Sequence, residues 1–380
     1  MYKTMKILGL GAIIALSATA VQAADVKLPA QMTWTAYGTS STGYQQSVAI
    51  GNMLKKNFNS QVNVKTGKND IARMLPIKSR KADFCACGIA LYFAQEGVFE
   101  FAGKTWGPQE IRMVFASIGG AGIGLAVAKD TGVTHYKDMK GKRVAWVRSA
   151  PALNQNATSA LSFGGLTWDD VKKVEFGGFK AALDGIINGQ VDAAASSSVS
   201  PHISRIEASP RGVAYLDMDH NDAAGWKRLQ GTAPWMQKHM ATQGPGFSKD
   251  TPWEGSGYFY PVLLTNSDHD SGTVYNLVKA IDTSYDDFSK SAPGVDGWAR
   301  DRQGFQWVIP WHDGAIQYWK EVGVWTAEMD AHQATVVKRQ KTLVAAFAAY
   351  KAKPADDFKA GWMKARAAAL SAAGMDVIFN

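Results

Sequence analysis

The stretch MTWTAYGTSSTGYQQSVAIGNMLKKNFNSQVNVKT, residues 32–66, decides how this chain is read. Residues 32–37 are apolar, aromatic and β-branched and predict a strand. Residues 44–57 turn amphipathic at helical spacing, and 61–66 alternate as a second strand. Two strands separated by a helix of this length argue a parallel βαβ unit. The pattern continues with a helix over 69–80 and a strand over 83–90, so the first part of the chain is α/β.

A second α/β set follows the glycine-rich run SIGGAGIG at 117–124. Strands are expected in LAVAKD (125–130), GKRVAWV (141–147), VKKVEF (171–176) and QVDAAAS (190–196). Helices are expected over about 152–163 and 180–189, the latter closed by Gly189. Residues 204–256 are rich in Gly, Pro and Trp and carry no clear period. YFYPVLLTN at 258–266 reads as a strand that Pro261 confines to an edge or a bulge. Helices then fill 272–290, 312–322, 328–351 and 355–373, with Val336, Leu343 and Phe347 on one stripe. The chain therefore divides into lobe one, 24–122 and 266–380, and lobe two, 123–265, with two crossings between them.

The first residues are set apart from the fold. Lys3 and Lys6 precede an apolar run at 7–20 and a small-x-small site at Val21-Gln22-Ala23, the tripartite pattern of a secretory signal peptide over 1–23. The run is shorter than the roughly 20 residues of a spanning helix. Export to the periplasm is expected, and losing the two leader lysines takes the formal net charge from +8 to +6. A basic exported protein attracts acidic solutes. Nucleic acid is not the expected partner, because no Lys/Arg block, zinc spacing or RNP-like motif occurs. Most of this charge is a solvated mixed surface.

The two cysteines, Cys85 and Cys87 in ADFCACGIA, are expected as buried free thiols. An exported pair suggests a disulfide, yet C-x-C on a strand puts both thiols on one face at a spacing a bridge does not easily close.

The loop GTSSTG at 38–43 follows a strand and opens a helix, where free N–H groups and the helix dipole favour an anion. One hydroxyl suffices as an N-cap, whereas Thr39, Ser40, Ser41 and Thr42 supply four. The loop is no phosphate-binding P-loop, because Tyr44 stands where a lysine belongs. No G-x-S-x-G or H-E-x-x-H occurs, and the seven histidines are scattered. His312 reads as a packing or capping residue rather than a general base. No enzyme, cofactor or metal is expected.

Several segments, in order, resemble the TAXI-type solute receptors of tripartite ATP-independent periplasmic (TRAP) transporters. They are YGTSSTGYQQSVAIG, the ADF strand with its helix to AQEG, HYKDMKGKRVAWV, GGLTWDDVKKVEF, ALDGIINGQVDAAA and PWHDGAIQYWKEVG, together spanning about 32–326. The last is similar to the family's P-x-H-P-G-A-x-R-Y-Y-x-E-x-G signature at Pro310, His312, Gly314, Ala315, Tyr318, Glu321 and Gly323. The resemblance implies a two-lobed periplasmic-binding-protein fold of type II with a ligand cleft between lobes, here with extra C-terminal helices. It implies a monomer that captures a small organic anion, such as a dicarboxylate, keto acid or acidic amino acid, and delivers it to TRAP membrane subunits. An exported enzyme on the same fold, or a ligand-sensing partner of a membrane receptor, are the alternatives.

The chain departs from that family where the ligand is expected. VRSAPALNQN replaces a loop of glycines and hydroxyls, Cys87-Gly88-Ile89 a polar run, and Gln45 and Gln46 a pair of tyrosines. Ligand contacts are expected from Gly38, Thr39, Ser40, Ser41, Thr42, Gly43 and Tyr44, from Cys87 and Gly88, from Arg148, Ser149, Ala150 and Asn154, and from Ser197 and Ser198. Arg148 either grips a carboxylate bidentately or is a surface arginine beside the loop.

Overall fold

The computed structural model describes residues 26–379, so the signal peptide expected over 1–23 lies outside the described residues. From Gln31 the chain lays down β1 (Gln31–Ala36), α1 (Thr42–Phe58), β2 (Gln61–Thr66), α2 (Asp70–Lys78), β3 (Phe84–Cys87), α3 (Ala90–Glu96) and β4 (Ile111–Ala116). It then builds β5 (Ile123–Ala128), β6 (Arg143–Val147), α4 (Pro151–Phe163), β7 (Lys172–Phe176), α5 (Phe179–Ile187), β8 (Ala193–Ser197), α6 (Pro201–Glu207) and β9 (Val213–Ala214). The segment that carried no period holds α7 (Ala223–Thr232) and the antiparallel pair β10 (Gln237–Ala241) and β11 (Trp253–Gly257). β12 (Val262–Asn266) returns to the first sheet, and α8 (Ser271–Thr283), α9 (Tyr285–Phe288), α10 (Asp313–Glu321), α11 (Ala327–Ala352) and α12 (Phe358–Ala372) complete the chain.

Two five-stranded sheets result, ordered β2-β1-β3-β12-β4 and β7-β6-β8-β5-β9. Each has the expected parallel trio, β1 between β2 and β3, and β6 between β7 and β8. Each also carries a strand antiparallel to its neighbours, β12 in the first and β5 in the second. This is the two-lobed α/β periplasmic-binding-protein fold. The chain passes between sheets at 117–122 and back at 258–261, and the two passages are tied together. Ser117 Oγ donates to the Pro261 carbonyl at 2.8 Å, and the Tyr260 amide to the Ser117 carbonyl at 2.6 Å.

Parallel strands flanked by helices are buried on both faces, and β3, β5, β8 and β12 are buried throughout. Of the edge or bulge expected from Pro261, the edge is not found and the strand carries an irregularity. The strand begins one residue later and lies inside the sheet between β3 and β4, with its register shifted at Leu263/Leu264. The proline precedes the ladder and removes no donor from it.

The cysteines correct a second expectation. Cys85 and Cys87 are joined by a disulfide, with Cα atoms 5.3 Å apart. Residues two apart in a regular strand stand about 6.6 Å apart. Cys85 and Cys87, both paired with β12, stand closer than that, in the middle of the range of about 4.4–6.8 Å that a disulfide spans.

Candidate ligand site between the lobes

Ligands of open α/β sheets sit beyond the carboxyl ends of the parallel strands. Here those ends, after β1, β3, β6 and β8, turn toward one another across the two lobes. They enclose a cavity of about 30 Å³ lined by Tyr37, Thr42, Arg73 and Gly88 from the first lobe and Asn156 and Ser197 from the second, among others. Thr42 Oγ1, Arg73 Nη1, Asn156 Oδ1 and Ser197 Oγ are all buried and have no hydrogen-bond partner among the described residues. Leaving a buried polar atom unpaired costs about 1–3 kcal/mol, and four on one small cavity mark a site built to be completed by a ligand.

Arg73 is the dominant charge. It lies one turn into α2, is 1% exposed, and its guanidinium stacks 3.8 Å over the Tyr37 ring. Nε and Nη2 both donate to Asp70 Oδ1, at 3.2 and 2.7 Å, so Nη1 is the nitrogen left over. Burial works against the charge, but Tyr37 and Asp70 outweigh it and hold the pKa of Arg73 above its ordinary value. Tyr37 donates its hydroxyl to the same carboxylate oxygen at 2.5 Å, and burial keeps the phenol neutral by raising its pKa well above the ordinary range. The site thus offers donors from Arg73, Thr42 and Ser197 and one acceptor, Asn156 Oδ1. That is a set suited to a carboxylate or another oxyanion with a donor group beside it.

The expected residues divide between several places. Thr42 and Ser197 line the cavity, as does Gly88, where a Cβ would come within 3.1 Å of both Tyr258 and Tyr260. Gly43 lets α1 approach β3, since a Cβ there would meet the Ala86 carbonyl at 3.0 Å. Ser41 is the N-cap of α1, accepting from the Tyr44 amide at 3.3 Å. Gly38, Thr39 and Ser40 line instead an open groove of about 520 Å³ that runs between the lobes past Lys68 and Lys180. Cys87 is held in the disulfide, and Ala150 belongs to the second lobe's core. Asn154 closes on its own loop, Oδ1 accepting from the Val147 amide at 2.9 Å and Nδ2 donating to its carbonyl at 3.0 Å. Ser198 is spent on the Gly122 amide and the Gln243 carbonyl. Arg148 is exposed and does not line the cavity; its carbonyl accepts from Asn69 Nδ2, and the neighbouring Ser149 carbonyl from Asp70 N. Tyr37, Arg73, Asn156, Tyr258 and Tyr260 line the cavity without having been singled out by sequence.

His312 is the N-cap of α10, its Nδ1 accepting from the Gly314 amide at 3.2 Å, away from the cavity. Only a ring with a lone pair on Nδ1 makes that bond. Burial lowers its pKa from 6.5 to about 4. A folded-state value below the unfolded one means that the stabilisation is complete above pH 6.5 and is lost as pH falls toward 4. The expected result is an imidazole that does not titrate by NMR between pH 8 and pH 6. His312→Asn, which keeps an N-cap acceptor, is expected to show a shallower loss of stability over the acid window. Equal slopes in parent and variant would exclude a neutral capping role.

No curated protein matches the chain. Solved structures that resemble it include the alkanesulfonate-binding protein SsuA from Xanthomonas axonopodis pv. citri bound to MOPS (14% identity, 88% of this chain and 98% of that chain, TM-score 0.42). The periplasmic aliphatic sulphonate binding protein SsuA from Escherichia coli is similar at 13% identity (91% of this chain, 89% of that chain, TM-score 0.41). Residues 35–323, which hold the second sheet, the first sheet from the end of β1 onward, the cavity and the α10 signature, match a single family description, and the chain belongs to the NMT1-like family.

Proposed function

We propose that this protein is the exported, monomeric solute-binding subunit of a TRAP transporter of the TAXI type, capturing a small organic anion between its lobes and releasing it to membrane subunits. The observation that supports this reading is the cluster of Arg73 Nη1, Thr42 Oγ1, Ser197 Oγ and Asn156 Oδ1 around the interlobe cavity. A space of about 30 Å³ holds roughly two water-sized groups, which is the scale of one carboxylate head. The rest of the ligand enters as the lobes part and is enclosed as they close. Such capture needs only differential affinity for the closed state, and no residue must exchange a proton or form a bond with the solute.

The test is calorimetry against a panel of dicarboxylates, keto acids, acidic amino acids and alkanesulfonates, with NMR of the ligand recovered afterwards. A small anion is expected to bind and return unchanged. Thr42→Val and Ser197→Ala, which keep shape and remove one hydroxyl, are each expected to weaken binding about ten- to a hundredfold, the worth of a hydrogen bond to a charged group. A panel without a binder, or two variants that bind as the parent does, would refute the assignment. A chemically altered ligand would replace it with the enzyme reading.

A further inference from the structure

Helices α2 and α4 begin on opposite lobes and face each other, and each leaves amides that its own turn does not satisfy. The N-cap of α4 is Ala150, which has no side-chain acceptor. Its missing acceptor comes from the other lobe: Asp70 Oδ2 accepts from the Ala152 amide at 2.8 Å. The reverse also holds. The Ser149 carbonyl accepts from the Asp70 and Ile71 amides at the start of α2, at 3.1 and 3.4 Å. Asn69, the N-cap of α2, takes the Ala72 amide at 2.9 Å and turns its Nδ2 to the Arg148 carbonyl at 3.3 Å. Ser149 holds this geometry in the left-handed region, at φ 58°.

We infer that Asn69 and Asp70 form with residues 148–152 a reciprocal capping latch, in which each lobe completes the helix of the other, and that this latch holds the lobes together. Separation exposes amides on both helix starts and returns Asp70 Oδ2 to solvent. Asp70 is a positioning residue as well. Its Oδ1 receives Arg73 and Tyr37 while its Oδ2 receives the second lobe, so closure fixes the carboxylate that aims the guanidinium. Four bonds cross the gap, each between two protein groups, so the latch favours closure independently of the solute.

The test is the distance between nitroxides on Lys56→Cys and Lys172→Cys, exposed positions on opposite lobes, measured by electron spin resonance on the ligand-free full chain. The parent is expected to show a dominant short distance. Asp70→Asn is expected to shift the population to a longer one. Because that variant leaves Arg73 buried beside a neutral group and is at risk of misfolding, Asn69→Asp is measured beside it. Aspartate preserves the N-cap of α2 but replaces the donor that meets the Arg148 carbonyl with a carboxylate. The closed-to-open ratio is expected to fall about fivefold or more, the change one net hydrogen bond makes in an equilibrium. A parent that is already open, or a folded Asn69→Asp protein with the parent's distances, would overturn the latch. The measurement uses no ligand, so its outcome is separate from that of the binding panel.

Discussion

Arg73→Lys is expected to weaken binding of an anionic ligand by about a hundredfold while leaving the protein folded. The arginine divides its work: Nε and Nη2 meet Asp70, and Nη1 is left for the cavity. An ammonium has one nitrogen on a flexible stem and cannot face the carboxylate and the solute in the same planar fork. It stays with Asp70, the nearer fixed charge, and the ligand loses its cation. Arg73→Met goes further, costing about 2–5 kcal/mol of binding, roughly thirtyfold to a few thousandfold, as truncation of a desolvated charge pair does. It also destabilises the chain, because Asp70 is 0% exposed and would keep only the Tyr37 hydroxyl and the Ala152 amide to offset a buried charge. Calorimetry gives the first quantity and urea unfolding the second. A lysine variant that binds like the parent would mean that the anion is held elsewhere. Arg148→Ala makes the contrast, since an exposed arginine at the rim alters chiefly the association rate and its dependence on salt.

The architecture was legible because it rests on period. The strand–helix–strand alternation of 32–66 and of 141–196 is what parallel sheets require, and the boundaries of α1, α4 and α5 fall within two residues of those read from pattern and punctuation. The loop after β1 was legible as a helix start, and it divides its four hydroxyls: Ser41 caps, Thr42 faces the cavity, Thr39 and Ser40 border the outer groove. Arg73 was not legible. In DIARMLPIK, an acid and an arginine three apart look like a solvated i,i+3 pair, and only the tertiary packing of α2, against β1 and β3, the Tyr37 ring and the Ala152 amide of the facing lobe, makes them both buried. Asn154 and Asn156 show the same limit. Two residues on a helix turn about 200°, so Asn154 faces its own loop while Asn156 reaches the cavity, and the phase of α4 is set chiefly by its packing on α7 and the second sheet. The PWHDGAIQYWKEVG motif, the sharpest sequence match, proved to be architectural. His312 caps α10, and Trp311, Tyr318 and Trp319 fill the first lobe's core.

A second large effect is expected far from the cavity. Glu96→Gln should cost about 3–5 kcal/mol of stability, the loss that follows removal of one partner from a buried ion cluster. Glu96 ends α3 at 0% exposure and receives two arginines from the C-terminal helices. Arg339 of α11 meets it with Nε and Nη2 at 2.7 and 2.8 Å, and Arg366 of α12, itself fully buried, meets Oε2. Arg366 also donates to the Glu96 carbonyl at 3.1 Å and to the Phe379 carbonyl at 2.8 Å, while Trp362 Nε1 reaches the Gly97 carbonyl at 2.6 Å. One carboxylate therefore holds α11, α12 and the end of the chain on the first lobe, and an amide in its place leaves two guanidinium groups facing each other in a dry setting. Those helices otherwise present long polar faces: only Val336, Gln340 and Leu343 of α11 and Trp362, Arg366 and Leu370 of α12 are buried. Release should accordingly be local before it is global. Hydrogen exchange across 327–372 is expected to accelerate in Glu96→Gln under native conditions, ahead of exchange in β1 and β3, and the urea midpoint to fall. Replacing all three charges with apolar residues of similar volume, Glu96→Met with Arg339→Leu and Arg366→Met, is expected to recover much of the loss, because paired apolar substitution removes the desolvation penalty along with the attraction. A Glu96→Gln protein with the parent's midpoint and the parent's exchange over 327–372 would mean that apolar packing, led by Trp362 against Phe347 at 4.8 Å between ring centroids, holds the hairpin without the charges.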